Sequence, residues 1–143
     1  MKLTIGRIDK VDFPRLMLQD IDIKIDSGAY TSSIHCTNIE EIENNYIKFK
    51  LLDSKHPLYN NKVFTFKDYT SKTVKSSNGI AEKRFMIQTE IVIFNETFPI
   101  YLTLSERSDM KFPILLGRKF LNKKFVIDTA KKNLSHKLKL KNK

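Results

Sequence analysis

Isoleucine occupies every second position of Ile21-Asp22-Ile23-Lys24-Ile25. A period of two places all three isoleucines on one face of an extended strand, so this segment needs a sheet with one buried face. The strand runs directly into Asp26-Ser27-Gly28, which puts a carboxylate at the end of a rigid element. The same period recurs from Phe85 to Ile93, where Phe85, Ile87, Thr89, Ile91 and Ile93 share one face. After a turn around Asn95-Glu96, Phe98–Leu104 alternates again, which predicts a hairpin. Shorter strands are predicted at Leu3–Ile8, Tyr46–Leu51, Val63–Phe66 and Phe125–Asp128, and a second hairpin turn at Ser76-Ser77-Asn78-Gly79, because Asn-Gly tolerates the positive φ of a tight turn. The one helical segment read from the pattern is short, Arg118–Lys123 after Gly117. The chain is therefore expected to be mainly β.

A length of 143 residues supports one core. Charge divides the chain unevenly. Met1 to Met110 carries 15 Lys/Arg and 15 Asp/Glu, whereas Lys111 to Lys143 carries 11 Lys/Arg and the single acid Asp128. We expect a folded domain over 1–130 and a basic, flexible tail over 131–143. Such a tail is an electrostatic handle for nucleic acid or acidic substrates, but it has no base-reading or stacking motif, so nucleic acid is a weak candidate partner. Cys36 is the only cysteine and is expected to be an inert buried thiol, with no helpfully spaced carboxylate near it or His35. The N-terminal stretch has no apolar leader core and no window is long enough to span a bilayer, so a cytoplasmic location without a membrane partner is expected.

Asp-Ser-Gly alone is common in turns. Its company makes it informative. Some ninety residues later Leu115-Leu116-Gly117-Arg118 ends an apolar strand and enters the short helix. Aspartic peptidases pair the catalytic Asp-Thr/Ser-Gly loop with such a strand, and this element resembles theirs. The likeness narrows to a family of retropepsin-like proteins labelled "ATP-dependent zinc protease" and associated with ATP-grasp ligases that modify ribosomal proteins. Ile5-Gly6 and Phe13-Pro14, Lys24-Ile25-Asp26-Ser27-Gly28-Ala29-Tyr30-Thr31-Ser32, Ser76–Gly79 with Glu82 and Arg84, and Arg107 to Arg118 are similar to its ordered blocks. Ser27 stands for the commoner Thr and Tyr30 for a common Arg.

The resemblance implies a closed, barrel-like acid-protease (retropepsin) fold with one short C-terminal helix. It also implies Asp26 as the catalytic residue; Ser27, Gly28, Ala29 and Thr31 as catalytic-loop support; Ser77, Asn78 and Gly79 as a flap; and Leu115, Leu116, Gly117 and Arg118 as the second strand-and-helix element. Peptide hydrolysis of this kind needs two carboxylates close enough that both cannot ionise. Asp128-Thr129-Ala130 lacks the Gly that lets two loops approach and reads as a strand-end acid. A homodimer, each copy supplying one Asp26, is the simplest active species, acting on a peptide or protein substrate with acidic or modified segments favoured by charge. Ala29 offers no hydroxyl to the carboxylate, so activity nearer neutral pH is expected. Despite the family label, His35, His56 and His136 lack ligand spacing and no phosphate-cradling Gly-rich loop is present, so neither metal nor cofactor is expected. Two other readings remain open: a catalytically silent peptide-binding or dimerisation module of the same fold, and a basic ribosome- or RNA-associated protein.

Overall fold

The structure is a computed structural model and describes residues 2–75, 78–106 and 111–142. Eleven strands and two α-helices are present among them. The alternating strand becomes β3 (Leu18–Ile25), with Leu18, Ile21, Ile23 and Ile25 all buried. Its neighbours are β2 (Ile8–Phe13), antiparallel, and β10 (Ile114–Leu116), parallel. The predicted hairpin is β8 (Ala81–Ile93) and β9 (Glu96–Ser105), paired from Phe85↔Leu104 to Ile93↔Glu96. Its turn residues, Phe94 and Asn95, have φ of 52° and 59°, as a two-residue hairpin of the favoured twist requires.

These strands close on themselves. β4 (Ser32–Ile42) runs parallel to β9 and antiparallel to β10, so the order β3, β2, β8, β9, β4, β10 returns to β3 and forms a six-strand barrel. Closure leaves the six barrel strands without a free sheet edge. Its interior is aliphatic: Ile23, Ile34, Leu102, Ile114 and Leu116 are all fully buried. The far half of β4 continues into a flanking layer with β5 (Tyr46–Leu51) and β6 (Val63–Lys67), where Phe49 packs between Phe64 and Phe66. The outer part of β8 pairs with β7 (Thr70–Lys75) to make a ribbon leading to Asn78 and Gly79.

Two sequence expectations change. The strand expected at Leu3–Ile8 is broken into β1 (Leu3–Ile5), which pairs with β11 (Phe125–Ile127), and β2. The break falls at Gly6, where a Cβ would lie 2.2 Å from the carbonyl oxygen of Lys131, so the returning C-terminal chain occupies that space. The second change is in 131–143, expected to be a flexible tail. It contains α2 (Leu134–Lys141), docked on β2 and on the β8–β9 turn. The helix was illegible because its fixings are long-range: Asp9, 1% exposed, accepts the N–H groups of Ser135 and His136 at 2.9 and 3.0 Å. A carboxylate at a helix N-terminus satisfies orphan donors and complements the dipole, and here it is supplied from β2 rather than from the helix's own flank. No helix among the described residues is long and apolar enough to cross a membrane.

Candidate active site

β3 delivers Asp26 to the mouth of the barrel. The Asp26 N–H donates to the Leu116 carbonyl at 2.9 Å, extending the β3–β10 ladder one residue past the strand. The chain then turns back, with the Ala29 N–H on the Asp26 carbonyl at 3.2 Å. The carboxylate is half-buried, and Oδ1 accepts the Gly28 N–H at 3.0 Å. No other donor among the described residues reaches it. A carboxylate held in place yet sparsely hydrogen-bonded is available to a water molecule or another acid, whereas a structural carboxylate is normally saturated.

The loop is braced from behind by the element that lies ninety residues away in sequence. At the start of α1 (Arg118–Leu121), the Arg118 and Lys119 N–H groups donate to the Ala29 and Tyr30 carbonyls, each at 2.9 Å. The Gly117 N–H donates to the buried Ser32 hydroxyl at 3.0 Å. A side chain at Gly117 would bring Cβ to 2.5 Å from the Thr31 carbonyl oxygen, so this crossing requires glycine. The Arg118 guanidinium donates from Nη1 to the Ser27 carbonyl at 2.8 Å and lies over the Tyr30 ring at 5.8 Å. Tyr at position 30 thus gives Arg118 an aromatic face, where an Arg would have placed a second cation. Leu116 is buried in the barrel and Leu115 partly so.

The structure therefore gathers Asp26, Ser27, Gly28, Ala29, Thr31 and the Leu115–Arg118 element into one corner. Thr31 contributes by its backbone, since its carbonyl abuts Gly117. Of the expected flap residues, Ser77 lies outside the described residues. Asn78 and Gly79 form an exposed turn, and Gly79 has a φ of 85°, the positive value expected of it. Asp128 closes β11: its N–H donates to Ile5 at 2.9 Å and its Oδ1 accepts the Ala130 N–H at 3.0 Å, a local turn that leaves it as a strand-end acid.

Sequence reasoning missed one buried cluster. His35, expected to lack a carboxylate partner, bridges the Ser105 carbonyl through Nδ1 and Asp53 through Nε2, each at 3.1 Å. Asp53 is 18 residues downstream and on the far side of β5, a distance that no local spacing rule reveals. The Lys55 N–H, and then His35, hold the Asp53 carboxyl below its ordinary range. Burial, with Glu106 nearby, raises the adjacent Cys36 thiol well above its ordinary value, which makes it inert.

A closed β-barrel with a strand-end Asp-Ser-Gly loop, braced by an apolar strand, a glycine and a short helix, defines the retropepsin-like class. The chain belongs to the RimB-like family, described as retropepsin-like aspartic endopeptidase RimB, whose model matches residues 4–138. Among curated proteins it is 33% identical over 136 residues to a protein of Shewanella pealeana named "Probable alpha-L-glutamate ligase", covering 90% of this chain and 29% of that protein. A protein of the same name from Parasynechococcus marenigrum is 32% identical, with 89% of this chain and 28% of the relative covered. The chain thus spans less than a third of these curated relatives. Among solved structures, a protein of unknown function from Legionella pneumophila superposes with a TM-score of 0.73 at 24% identity, covering 94% of this chain and 99% of that one. That likeness establishes the fold.

Proposed function

We propose that the protein is an aspartic endopeptidase whose catalytic centre forms when two copies bring their Asp26 carboxylates together. The observation that carries this reading is the state of Asp26 itself: fixed at the end of β3 and, among the described residues, with its carboxylate bonded only to the Gly28 N–H. Gly28 adds support. Its φ is not positive, and a Cβ there would meet only Asp26 Oδ1 at 3.3 Å, so the chain's own fold does not demand glycine. A loop that must approach its own symmetry mate does. In the pair, one carboxylate takes a proton from water as that water attacks the scissile carbonyl, and the other, protonated, donates to the carbonyl oxygen. The turn at Asn78-Gly79 is suited to a cover that excludes water.

Substrates rich in carboxylates fit the basic C-terminal segment from Lys111 to Lys143, since opposite charge speeds encounter. The test exposes wild type and Asp26→Asn to a mixed peptide library between pH 4 and 8, with mass-spectrometric detection of new termini. Cleavage by wild type and not by the variant is expected, with dimerisation equal in both by sedimentation. Cleavage that persists in the variant would refute the assignment of Asp26.

A further inference from the structure

The His35 side chain, 8% exposed, lies between two oxygens that can only accept: the Ser105 carbonyl, 3.1 Å from Nδ1, and Asp53 Oδ2, 3.1 Å from Nε2. Against a smaller opposing effect of burial, the Lys55 N–H at 2.9 Å holds the Asp53 carboxyl below its ordinary range, so it is ionised near neutral pH. A neutral imidazole has one N–H; it satisfies one of these oxygens and turns a lone pair on the other. The imidazolium satisfies both. The ionisable groups around the ring, among the described residues, fit one positive charge there. Cys36 adds none, because burial keeps its thiol protonated. His56, in the same loop as Asp53, is kept neutral: its Nδ1 accepts the Leu58 N–H at 3.0 Å, and burial lowers its pKa against the pull of Asp22 and Asp53. Lys55 lies beside Asp53, Glu106 follows β9, and Pro113 and β10 contribute no ionisable side chain.

We propose that His35 is a buried imidazolium that locks the loop after β5 to the end of β9, and that loss of one ring proton opens the lock. Asp53 belongs to the flanking layer and Ser105 ends a barrel strand, so the ring ties one to the other. The backbone of the same residue reinforces the junction: the Leu52 N–H donates to the His35 carbonyl at 2.9 Å, and the His35 N–H donates to the Pro113 carbonyl at 2.8 Å, where the chain enters β10. When the ring loses a proton, the other stays on Nε2, facing the carboxylate, which is the stronger acceptor. The Nδ1 lone pair then meets the Ser105 carbonyl oxygen. Repulsion displaces the end of β9 and with it Glu106, whose carboxylate takes the Ile39 N–H at 3.1 Å where the β4–β5 register shifts. The lock does not rest on the endopeptidase reading, and its test reads no cleavage.

The test follows the ring-nitrogen and backbone-amide chemical shifts of the full chain from pH 5 to pH 9. The His35 ring should pass from two protonated nitrogens to one, the proton leaving Nδ1, and the Ser105 and Glu106 amides should move in the same step. Asp53→Asn keeps an oxygen for Nε2 but removes the charge, so the step should fall at a pH lower by about one unit. Folding favours the protonated ring, so its contribution is present at low pH and lost as pH rises through the step. The stability gap in urea between wild type and His35→Gln should therefore be larger at pH 5.5 than at pH 8.5. A ring with a single N–H throughout, a step in which Ser105 and Glu106 stay still, or a step unmoved in Asp53→Asn would each overturn the lock. So would a stability gap of equal size at both pH values. The wild-type shifts decide even if both variants fail to fold.

Discussion

Two regions of this protein use aspartate in opposite ways. At the C-terminal latch, Asp9 accepts three N–H groups, and Asp12 and Asp20 grip Lys139 at 3.0 and 2.7 Å. At the Asp26 corner the rigidity comes from backbone: β3 on β10, the α1 amides on the loop carbonyls, and Gly117 against Thr31. Asp26 contributes almost nothing to that brace. The latch therefore consumes its carboxylates to hold the fold, whereas the corner holds the fold by other means and leaves its carboxylate available. Carboxylates at functional sites are expected to stand out in this way from structural ones.

The largest expected effect separates the two regions outright. Asp26→Asn should lower peptide cleavage by about 10³-fold or more, the scale of losing a general acid–base group. Its amide oxygen can still accept the Gly28 N–H, so unfolding in urea should shift by no more than about 0.5 kcal/mol. A large loss of stability would mean that Asp26 belongs with the latch. Gly117→Ala should do the opposite at the same corner, destabilising by about 2–3 kcal/mol because Cβ is driven against the Thr31 carbonyl. An unchanged urea midpoint would show that the brace can yield.

Asp9→Ala tests the latch. It strands the Ser135 and His136 N–H groups in a buried site, which costs about 2 kcal/mol. The helical circular-dichroism signal should fall as α2 loosens, and Asp9→Asn, which keeps an acceptor, should be milder. Full retention of helix in the alanine variant would show that packing holds α2 and that the Asp9 cap is dispensable.

The contrast between the regions also explains what could be read from sequence. The alternation of Ile21, Ile23 and Ile25, and of Ile87, Thr89, Ile91 and Ile93, announced the barrel strands, because a half-buried strand writes its period directly into the chain. The Asp26 corner was legible because Asp-Ser-Gly directly follows the alternating strand and Leu-Leu-Gly-Arg ends a second apolar one. The latch was not. Asp9 and Lys139 look like ordinary surface charges, and only the fold, which brings β2 under α2, turns them into fixings. His35 and Asp53 were hidden for the same reason. β4 and β7 lack a clean alternation: Ser32 and His35 are buried polar residues in β4, and Thr70 to Thr73 of β7 are all exposed.

The smallest expected effect refines the latch. Burial draws the Lys139 ammonium downward, but the hydrogen bonds and charges of Asp20 and Asp12 outweigh it and hold its pKa above the ordinary lysine value. A raised pKa in the folded state means that the charged form is favoured by folding, so the contribution is complete below the unfolded lysine's pKa and is lost as pH climbs through the folded one. The latch should therefore be indifferent to pH near neutrality and weaken only in strong alkali. Because the three side chains are partly open to solvent, screening keeps the total below about 1 kcal/mol. Urea unfolding of wild type and Lys139→Met, compared at pH 8 and pH 11.5, should show a gap that narrows at the higher pH. A gap that stays constant would assign Lys139's contribution to the packing of its methylene stem rather than to its charge, and would leave the Asp9 cap and the Ser135–Phe94 hydrogen bond as the polar fixings that matter for α2.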